Sequence, residues 1–323
     1  MTSSIEDLIL SSTKASAIIK VEEIQSLWSG YGTIFRAFLE GGDDPQVVVK
    51  QIKFPNQINH PRGWSNNFAH QRKVKSYEVE FNWYQNQVSN LIRKPRMPRY
   101  IAHQINEDER ILIMEDLASS DFLPQSSISF QQAEAVVEWL ANFHGSQMQH
   151  SSEGLWEKGS YWQVATRPEE WKVMKNQTLK ENAFLIDEFL HETQYKTIIH
   201  GDAKLANFCF NGYQVAAVDF QYVGEGCGMT DLAYFLGSVY NEEELEQYAS
   251  SLLNHYFETI QTYFDDKASF HDFESDHRQR YPFAWADFER FLNGWAPNHY
   301  KLSGYSSQQT NIAIDQLLNR REV

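Results

Sequence analysis

The side chains best able to do chemistry are three oxygen-bearing residues in the second half of the chain, Asp202, Asn207 and Asp219. The pair Asn211-Gly212 lies between them and predicts a tight hairpin. With a two-residue turn there, Asn207 pairs near Ala216, and Asp219 lies on the order of 10 Å away along the opposite strand. Hard oxygen ligands at a few rigid positions suit Mg²⁺ bound jointly with phosphate groups. The hairpin mouth is therefore a predicted magnesium and phosphate site.

The elements that must position these residues change in character along the chain. Apolar runs at 24–28, 33–39 and 47–51 predict a meander of strands, and ILIMEDL from Ile111 predicts a further strand. An amphipathic helix is predicted from Lys73 to Val88, because its apolar residues repeat at helical spacing. Residues 53–72 have neither periodicity and are expected to form a long loop. Beyond residue 117 the pattern is mainly helical, with capped starts predicted at Ser129 and Asn241.

Composition bounds the class of protein. The chain has 323 residues, and 28 Lys and Arg against 43 Asp and Glu give a net charge of −15 at pH 7. This sign argues against a nucleic acid partner, because binding a phosphate backbone needs clustered cations. Two cysteines suit a reducing compartment. No signal peptide and no apolar stretch of 18 residues is found, so we expect a cytoplasmic protein with no membrane partner.

The residues of the hairpin also form a recognisable set. HGD-x4-N at 200–207, followed by Val218-Asp219-Phe220, resembles the catalytic and metal loops of kinase-fold phosphotransferases. More narrowly, VDFQYVGEGCGMTDLAYFL resembles the ecdysteroid-kinase-like branch of the aminoglycoside phosphotransferase and choline kinase superfamily. The resemblance implies an α+β, two-lobed protein-kinase-like fold. It has a small antiparallel-sheet N-lobe at 1–117 that binds nucleotide, and a larger, mainly helical C-lobe at 118–323.

The resemblance implies a role for each loop residue. Asp202 would accept or orient the proton of an acceptor hydroxyl, and Asn207 and Asp219 would hold Mg²⁺. Lys204 stands where protein kinases carry a lysine, and would contact the γ-phosphate of ATP. His200 and Asp231 resemble residues that support this loop.

Lys50 ends the apolar run VVVK and matches the family lysine that pairs with the α- and β-phosphates. An exposed strand-end lysine is the ordinary alternative. Its glutamate partner should come from the helix after Lys73, where Glu78 and Glu80 each lie roughly 80° from the centre of the apolar stripe, on opposite flanks. Periodicity does not choose between them. The family pattern, a glutamate followed by an aromatic pair three and four residues later, selects Glu80.

Two further groups of nucleotide-binding residues are implied. Gly30 and Gly32 stand where a glycine-rich loop covers the phosphates, although such a pair is more often an ordinary hairpin turn. Met114, Glu115 and Leu117 stand at the interlobe hinge, where the backbone of the last two would meet the adenine edge and Met114 would line the pocket. Met114 fits core packing equally well.

Several other residues have two readings. His144, on an apolar helix face, is expected to be structural. The C-terminal aromatics are expected to be core, with an aromatic wall for the acceptor as the alternative. The basic residues between 62 and 75 are expected to be solvated, with an anion site as the alternative. The aromatic set is Trp285, Phe288, Phe291, Trp295 and Tyr300, and the basic set is Arg62, Arg72, Lys73 and Lys75.

The sequence thus predicts an enzyme that moves the γ-phosphate of ATP, with Mg²⁺, to a hydroxyl of a small-molecule acceptor. One alternative is a catalytically silent kinase-fold protein that binds nucleotide, although such proteins usually lose one of the residues found here. A protein kinase is less expected, because the short interval from Asp219 to Asp231 has no room for a long activation loop. The sequence does not identify the acceptor, and the oligomeric state is not readable from it.

Overall fold

A computed structural model describes residues 2–27, 30–54, 66–87 and 95–321. Residues 55–65 of the predicted loop at 53–72 lie outside these ranges, as do Ser29 and Val88. Arg62 is among the loop residues outside them. The helices are α1 (Ser3–Thr13), α2 (Asn66–Asn82), α3 (Phe130–Ser146), α4 (Pro168–Val173), α5 (Gln177–His191), α6 (Met229–Val239), α7 (Glu242–Ile260), α8 (Lys267–Trp295) and α9 (Gly304–Arg321). The strands are β1 (Ala17–Ser26), β2 (Gly32–Glu40), β3 (Gln46–Lys53), β4 (Tyr100–Ile105), β5 (Glu109–Glu115), β6 (Leu123–Pro124), β7 (Thr197–Ile199), β8 (Phe208–Asn211), β9 (Gln214–Ala217) and β10 (Gly224–Gly226).

The N-terminal part is an antiparallel sheet of five strands within the described ranges, in the order β1-β2-β3-β5-β4. Val47 and Val49 of β3 and Ile111 and Ile113 of β5 are buried together on one face of the sheet. Helix α1 packs on that face through Ile5 and Ile9, which are fully buried beside Val47 and Val49. Neither α1 nor β4 was predicted from the sequence, and β1 begins seven residues before the predicted Ile24.

Helix α2 begins at Asn66, so residues 66–72 are helical, not part of a loop as predicted. It ends at Asn82 and continues as a π-helical turn, Trp83–Gln87. Such wide turns shift the side chains that follow them around the helix axis. Trp83 stacks on Phe220 with ring centroids 5.3 Å apart, and Tyr84 meets the same ring edge-on at 5.9 Å. The end of α2 is therefore packed directly against the segment that carries Asp219.

The predicted hairpin forms, but its register differs from the prediction. Asn211 pairs with Gln214, so the turn residues are Gly212 and Tyr213, and of the predicted turn pair only Gly212 has a positive φ, 60°. The backbone carbonyl of Asn207 accepts a hydrogen bond from the N–H of Val218 at 2.9 Å. Asn207 thus lies opposite Val218 instead of Ala216. Asp219 therefore directly follows the residue that pairs with Asn207, instead of lying three residues beyond it.

The C-terminal part is mainly helical and confirms the predicted caps. Ser129 and Asn241 each form a capping box, with Gln132 and Glu244 respectively. The cores of α3, α6, α7 and α8 merge into one apolar cluster with the end of α2. The molecule therefore has the predicted α+β, two-lobed protein-kinase-like fold, with a small antiparallel-sheet N-lobe and a larger helical C-lobe. Across the described ranges, no helix has the length and apolar character that crossing a bilayer needs.

Candidate active site

The loop between β7 and β8 is fixed by one fully buried carboxylate. Asp231, in the first turn of α6, accepts hydrogen bonds from the backbone N–H groups of His200 at 2.6 Å and Gly201 at 2.9 Å. His144 lies 3.1 Å from the same carboxylate and 2.9 Å from the hydroxyl of Tyr256. The structural role expected for His144 is confirmed, as is the support of this loop by Asp231.

Asp202 and Asn207 lie together at the end of this loop. The Nδ2 group of Asn207 donates to the backbone carbonyl of Asp202 at 2.8 Å and to its Oδ2 at 3.2 Å. Lys204 donates to the same Oδ2 at 2.9 Å. The other oxygen, Oδ1, is buried and has no hydrogen-bond partner among the described residues. Burial raises the pKa of Asp202, with Asp219 adding to it and Lys204 opposing it. Asp202 therefore has one oxygen ready to accept a proton.

Asp219 follows β9 in a left-handed backbone conformation with a φ of 66°. This conformation is uncommon for a residue with a side chain, and it turns the chain sharply away from the hairpin. The carboxylate accepts a hydrogen bond from Gln221 and lies 3.5 Å from the Nζ of Lys50. Burial raises the pKa of Asp219, but Lys50, Lys73 and Lys204 outweigh it and hold the pKa at about 2. Asp219 is therefore an ionised carboxylate among cations.

Lys50 pairs with Glu80, whose Oε2 lies 2.6 Å from its Nζ. Both side chains are almost fully buried, at 3% and 2% exposed. Burial alone would lower the pKa of Lys50, but Glu80 and Asp219 raise it, so the lysine is charged. Glu78, the alternative that periodicity left open, instead pairs with Arg110 at 2.8 Å on the surface.

Two cations of α2 lie in the site although the sequence favoured solvated side chains for them. Lys73 donates to Gln221 at 2.8 Å and lies 4.6 Å from the ring centroid of Tyr77. Burial lowers its pKa to about 8, with the charge of Lys50 adding to this effect. Arg72 donates to the backbone carbonyl of Thr166 at 2.5 Å. The sequence analysis placed Arg72 in a loop, whereas α2 begins at Asn66 and therefore includes it. On this helix both Arg72 and Lys73 border the cavity.

The turn before β2 shows two different uses of glycine. Gly32 has a φ of 121°, and a Cβ there would overlap the carbonyl oxygen of Gln51 on β3, so the close strand pairing requires glycine. Gly30 has a φ of 77° and open space around it. Between them Tyr31 is 4% exposed and lies 2.6 Å from His70 of α2, hydroxyl to Nδ1. The sequence analysis overlooked Tyr31, which links this turn to α2.

Met114, Glu115 and Leu117 lie where β5 passes into the C-lobe. Glu115 forms an ion pair with Arg96, and its backbone N–H donates to the carbonyl of Arg99 at 2.9 Å. The next residue, Asp116, forms an ion pair with Arg36. These pairs hold the segment in place while its three predicted residues border the cavity described next.

One cavity of about 930 Å³ joins these groups. It separates the sheet from the helical lobe, and Tyr31 and Gln221 also border it. Of the predicted site residues, it is lined by Lys50, Glu80, Met114, Glu115, Leu117, Asp202, Lys204, Asn207 and Asp219, whereas Gly30 and Gly32 are absent from its lining.

The C-terminal aromatics divide between the two readings. Trp285 is core at 1% exposed, and Tyr300 is exposed at 80%, so core packing is wrong for Tyr300. The other three, Phe288, Phe291 and Trp295, border the cavity and also pack together as the expected aromatic cluster.

The residues present fit a divalent cation shared with phosphates. Asn207 uses its Nδ2 group toward Asp202, which leaves the carbonyl Oδ1 as an oxygen ligand. Asp219 supplies an ionised carboxylate. No group of three or more His, Cys, Asp or Glu side chains with metal-binding geometry occurs in the described part of the chain. A pair of protein oxygen ligands is what Mg²⁺ requires when phosphates and water complete its shell.

Comparisons with known proteins identify a family and similar folds. The model of the phosphotransferase enzyme family (APH) matches residues 30–273. The fold is similar to that of choline kinase from Cryptosporidium parvum Iowa II, at 10% identity, a TM-score of 0.55 and coverage of 100% of this chain and 97% of that one. A microcompartment-associated aminopropanol kinase gives 12% identity, a TM-score of 0.53 and coverage of 99% and 98%. Choline kinase LicA from Streptococcus pneumoniae gives 12%, 0.51, and 98% of both chains. No curated protein matches the sequence.

Proposed function

The chain belongs to the phosphotransferase enzyme family, and from this premise we propose that it transfers the γ-phosphate of ATP, with Mg²⁺, to a hydroxyl of a small molecule. The observation that supports this most directly is the convergence of Lys50, Asp202, Asn207 and Asp219 on one cavity. These are a base, two oxygen ligands and a strand cation, the parts that phosphoryl transfer requires. A silent relative would be expected to lack at least one of them.

The nucleotide is proposed to lie between the sheet and Asp219. Met114 would line the adenine pocket, and the backbone of Glu115 and Leu117 would meet its polar edge. Lys50, held by Glu80, would bind the α- and β-phosphates, and the turn at Gly30 and Gly32 would cover them. Lys73 would add a second cation beside Asp219.

Chemistry is proposed to take place at Asp202. Its free Oδ1 would accept the hydrogen bond of the acceptor hydroxyl and then its proton, as the hydroxyl oxygen forms a bond to the γ-phosphorus and the bond from that phosphorus to the bridging oxygen of ADP breaks. The products would be the phosphorylated acceptor and ADP. Lys204 would stabilise the charge of the transferring phosphoryl group. Asn207 and Asp219 would hold Mg²⁺, which when bound neutralises phosphate charge. Most of the rate acceleration would come from this positioning and charge stabilisation.

Small molecules are favoured over proteins as acceptors. Eleven residues lie between Asp219 and Asp231, and they include β10 and the start of α6, both packed in the C-lobe. This interval would leave no room for a long activation loop on which a protein substrate could dock. We also propose the ecdysteroid-kinase-like branch of the family, on the sequence from Val218 to Leu236.

The test measures ADP release from MgATP with pooled hydroxylated metabolites. Asp219→Asn is expected to lose at least about 100-fold in kcat/KM, because it removes a charge that acts on the phosphoryl group. Asp202→Asn is expected to lose comparably through the lost base. Asp272→Asn, an exposed change on α8, is the matched control. Full activity in Asp219→Asn would refute the assignment, and nucleotide binding without turnover on any acceptor would favour a silent protein.

A further inference from the structure

The half of the cavity beyond Asp202 is walled by aromatic rings. Tyr161 meets Tyr222 edge-on with centroids 5.0 Å apart, and meets Phe291 edge-on at 5.7 Å. Tyr234 lies near the base: burial raises its pKa, and Asp202 raises it further. Rings that support one another in this way keep their faces and edges fixed. The wall suits an acceptor with a flat apolar body.

The carboxylates of this aromatic wall all form ion pairs with cations of the chain. Each carboxylate in the aromatic half of the cavity has a lysine or arginine within ion-pair distance. An ammonium group of the acceptor would therefore meet no unpaired carboxylate among the described residues of this half. The pairs are Glu170 with Arg167 at 3.5 Å, Glu169 with Lys172 at 3.2 Å, and Asp202 with Lys204 at 2.9 Å.

One cation of the wall, by contrast, forms no ion pair with the described residues. Lys301, between α8 and α9, has its Nζ 4.8 Å from the ring centroid of Tyr234 and 5.7 Å from that of Phe288. No carboxylate of the described chain lies within ion-pair distance of it. Burial lowers its pKa to about 8, and the charge of Lys204 adds to this. An ammonium in such surroundings is stabilised by a bound anion.

A second unsatisfied donor lies on the same wall. Arg167 is 3% exposed, and its Nη2 group is buried without a hydrogen-bond partner among the described residues. Its guanidinium lies 4.0 Å from the ring centroid of Tyr161. Arg72 lies close to Arg167. Burial lowers the pKa of Arg72, and the positive charge of Arg167 lowers it further. Glu170 lies within ion-pair distance of Arg167, whereas no carboxylate of the described chain lies within ion-pair distance of Arg72.

From these contacts we propose that the acceptor is an anionic alcohol: a molecule whose flat apolar body carries, besides the reacting hydroxyl, a carboxylate or another acidic group that Lys301 binds. The proposal rests on the proposed function, because it names the substrate class of the same site. It excludes cationic acceptors such as choline and amino alcohols, since these would place a positive charge among unpaired cations.

The first experiment separates a metabolite extract of the source organism by ion exchange into anionic, neutral and cationic pools. Each pool is incubated with the protein, Mg²⁺ and ATP labelled at the γ-phosphate. A labelled product from the anionic pool is expected, and products only from the cationic or neutral pool would overturn the proposal. If no pool gives a product, the proposed function itself fails, and the substrate class fails with it.

The second experiment tests Lys301 with the anionic pool. Lys301→Met is expected to lower labelling at least about tenfold through a higher KM for the acceptor, with the KM for ATP unchanged. Lys301→Arg keeps the charge and should retain most activity. The matched control is Lys180→Met, which removes another partly buried lysine, 5.8 Å from the ring of Trp171 and outside the cavity. A higher KM for ATP with the acceptor KM unchanged would assign Lys301 to the nucleotide and overturn the proposal.

Discussion

At the scale of single residues, the buried pair of Lys50 and Glu80 combines a proposed function with a large effect on stability. Removing one member of a buried ion pair leaves the other charge without compensation. We expect Lys50→Met to lower the free energy of unfolding by about 3 kcal/mol or more, as measured by chemical denaturation.

The double variant distinguishes the pair from packing. Lys50→Met with Glu80→Met replaces both charges by apolar side chains, so it should lose less stability than either single change, because no buried charge remains unpaired. Additive losses in the double variant would show that the two side chains act through packing alone.

We expect Lys73 to make the free energy of unfolding depend on pH. Its pKa is about 8 in the folded protein, below the usual 10.5, so between these values the unfolded chain binds more protons than the folded one. The free energy of unfolding contributed by this group therefore rises as the pH rises from 8 to 10.5. Relative to Lys73→Met, the wild type is expected to gain up to about 3 kcal/mol over that interval.

The measurement is denaturant unfolding of both proteins at several pH values between 7 and 10.5. All other titrating groups are shared, so the difference between the two curves isolates Lys73. A difference that stays constant with pH would contradict a lowered pKa for this lysine.

At the scale of elements, α6 holds the loop of Asp202 in place through Asp231. Replacing this carboxylate by an amide, Asp231→Asn, keeps the shape but puts a donor opposite the backbone N–H groups of His200 and Gly201. We expect a loss of about 2 kcal/mol or more in the free energy of unfolding, because a charge-assisted hydrogen bond is lost and a buried N–H is left unsatisfied.

The readout is denaturant unfolding together with amide hydrogen exchange at His200 and Gly201. Exchange at these two amides should accelerate more than exchange in α7. Uniform acceleration across α6 and α7 would mean that Asp231 stabilises the whole lobe and not this loop in particular.

Local sequence signals predicted these elements well where the signal was strong. The caps at Ser129 and Asn241 and the strands around Val47 and Ile111 follow from capping chemistry and apolar runs. The hairpin register did not follow, because an Asn-Gly pair fixes that a turn occurs but not which two residues form it. Helix α1 was missed although Ile5 and Ile9 stand one helical turn apart, because the segment is short and is stabilised by tertiary burial of these two residues.

At the scale of the whole molecule, a bound nucleotide would link the two lobes. A ligand that binds only the folded state raises the free energy of unfolding, by about 2.7 kcal/mol at 100 times its Kd. We therefore expect a non-hydrolysable ATP analogue with Mg²⁺ to raise the melting temperature, as measured by scanning calorimetry.

The control for this shift is the metal. Excess EDTA, or the variant Asp219→Asn, should remove most of the stabilisation, because the phosphates would lack their shared cation. An equal shift with EDTA present would contradict the roles proposed for Asn207 and Asp219.

The site is built from residues that lie far apart in the sequence, and this limited how much of it could be predicted. Lys50 was predicted from a strand end, Glu80 from the family pattern after helical spacing had left Glu78 open, and Asp219 from the hairpin and the family motif. The structure brings these three residues together, although 169 positions separate the first from the last. The charge of the acceptor wall was not foreseeable. The net charge of −15 is a property of the whole surface, whereas Lys301 and Arg167 border the same cavity only once the chain has folded and α8 packs against α4.

The unpartnered Oδ1 of Asp202 has a consequence for inhibitor design. A deoxy or methyl-ether analogue of the acceptor would fill the cavity but would lack the hydrogen bond by which a free hydroxyl satisfies this buried oxygen. Such mimics should be poor ligands even where their shape is right. Under the proposed function, selectivity for free alcohols would thus be set by Asp202 when the acceptor binds, before the phosphoryl group is transferred.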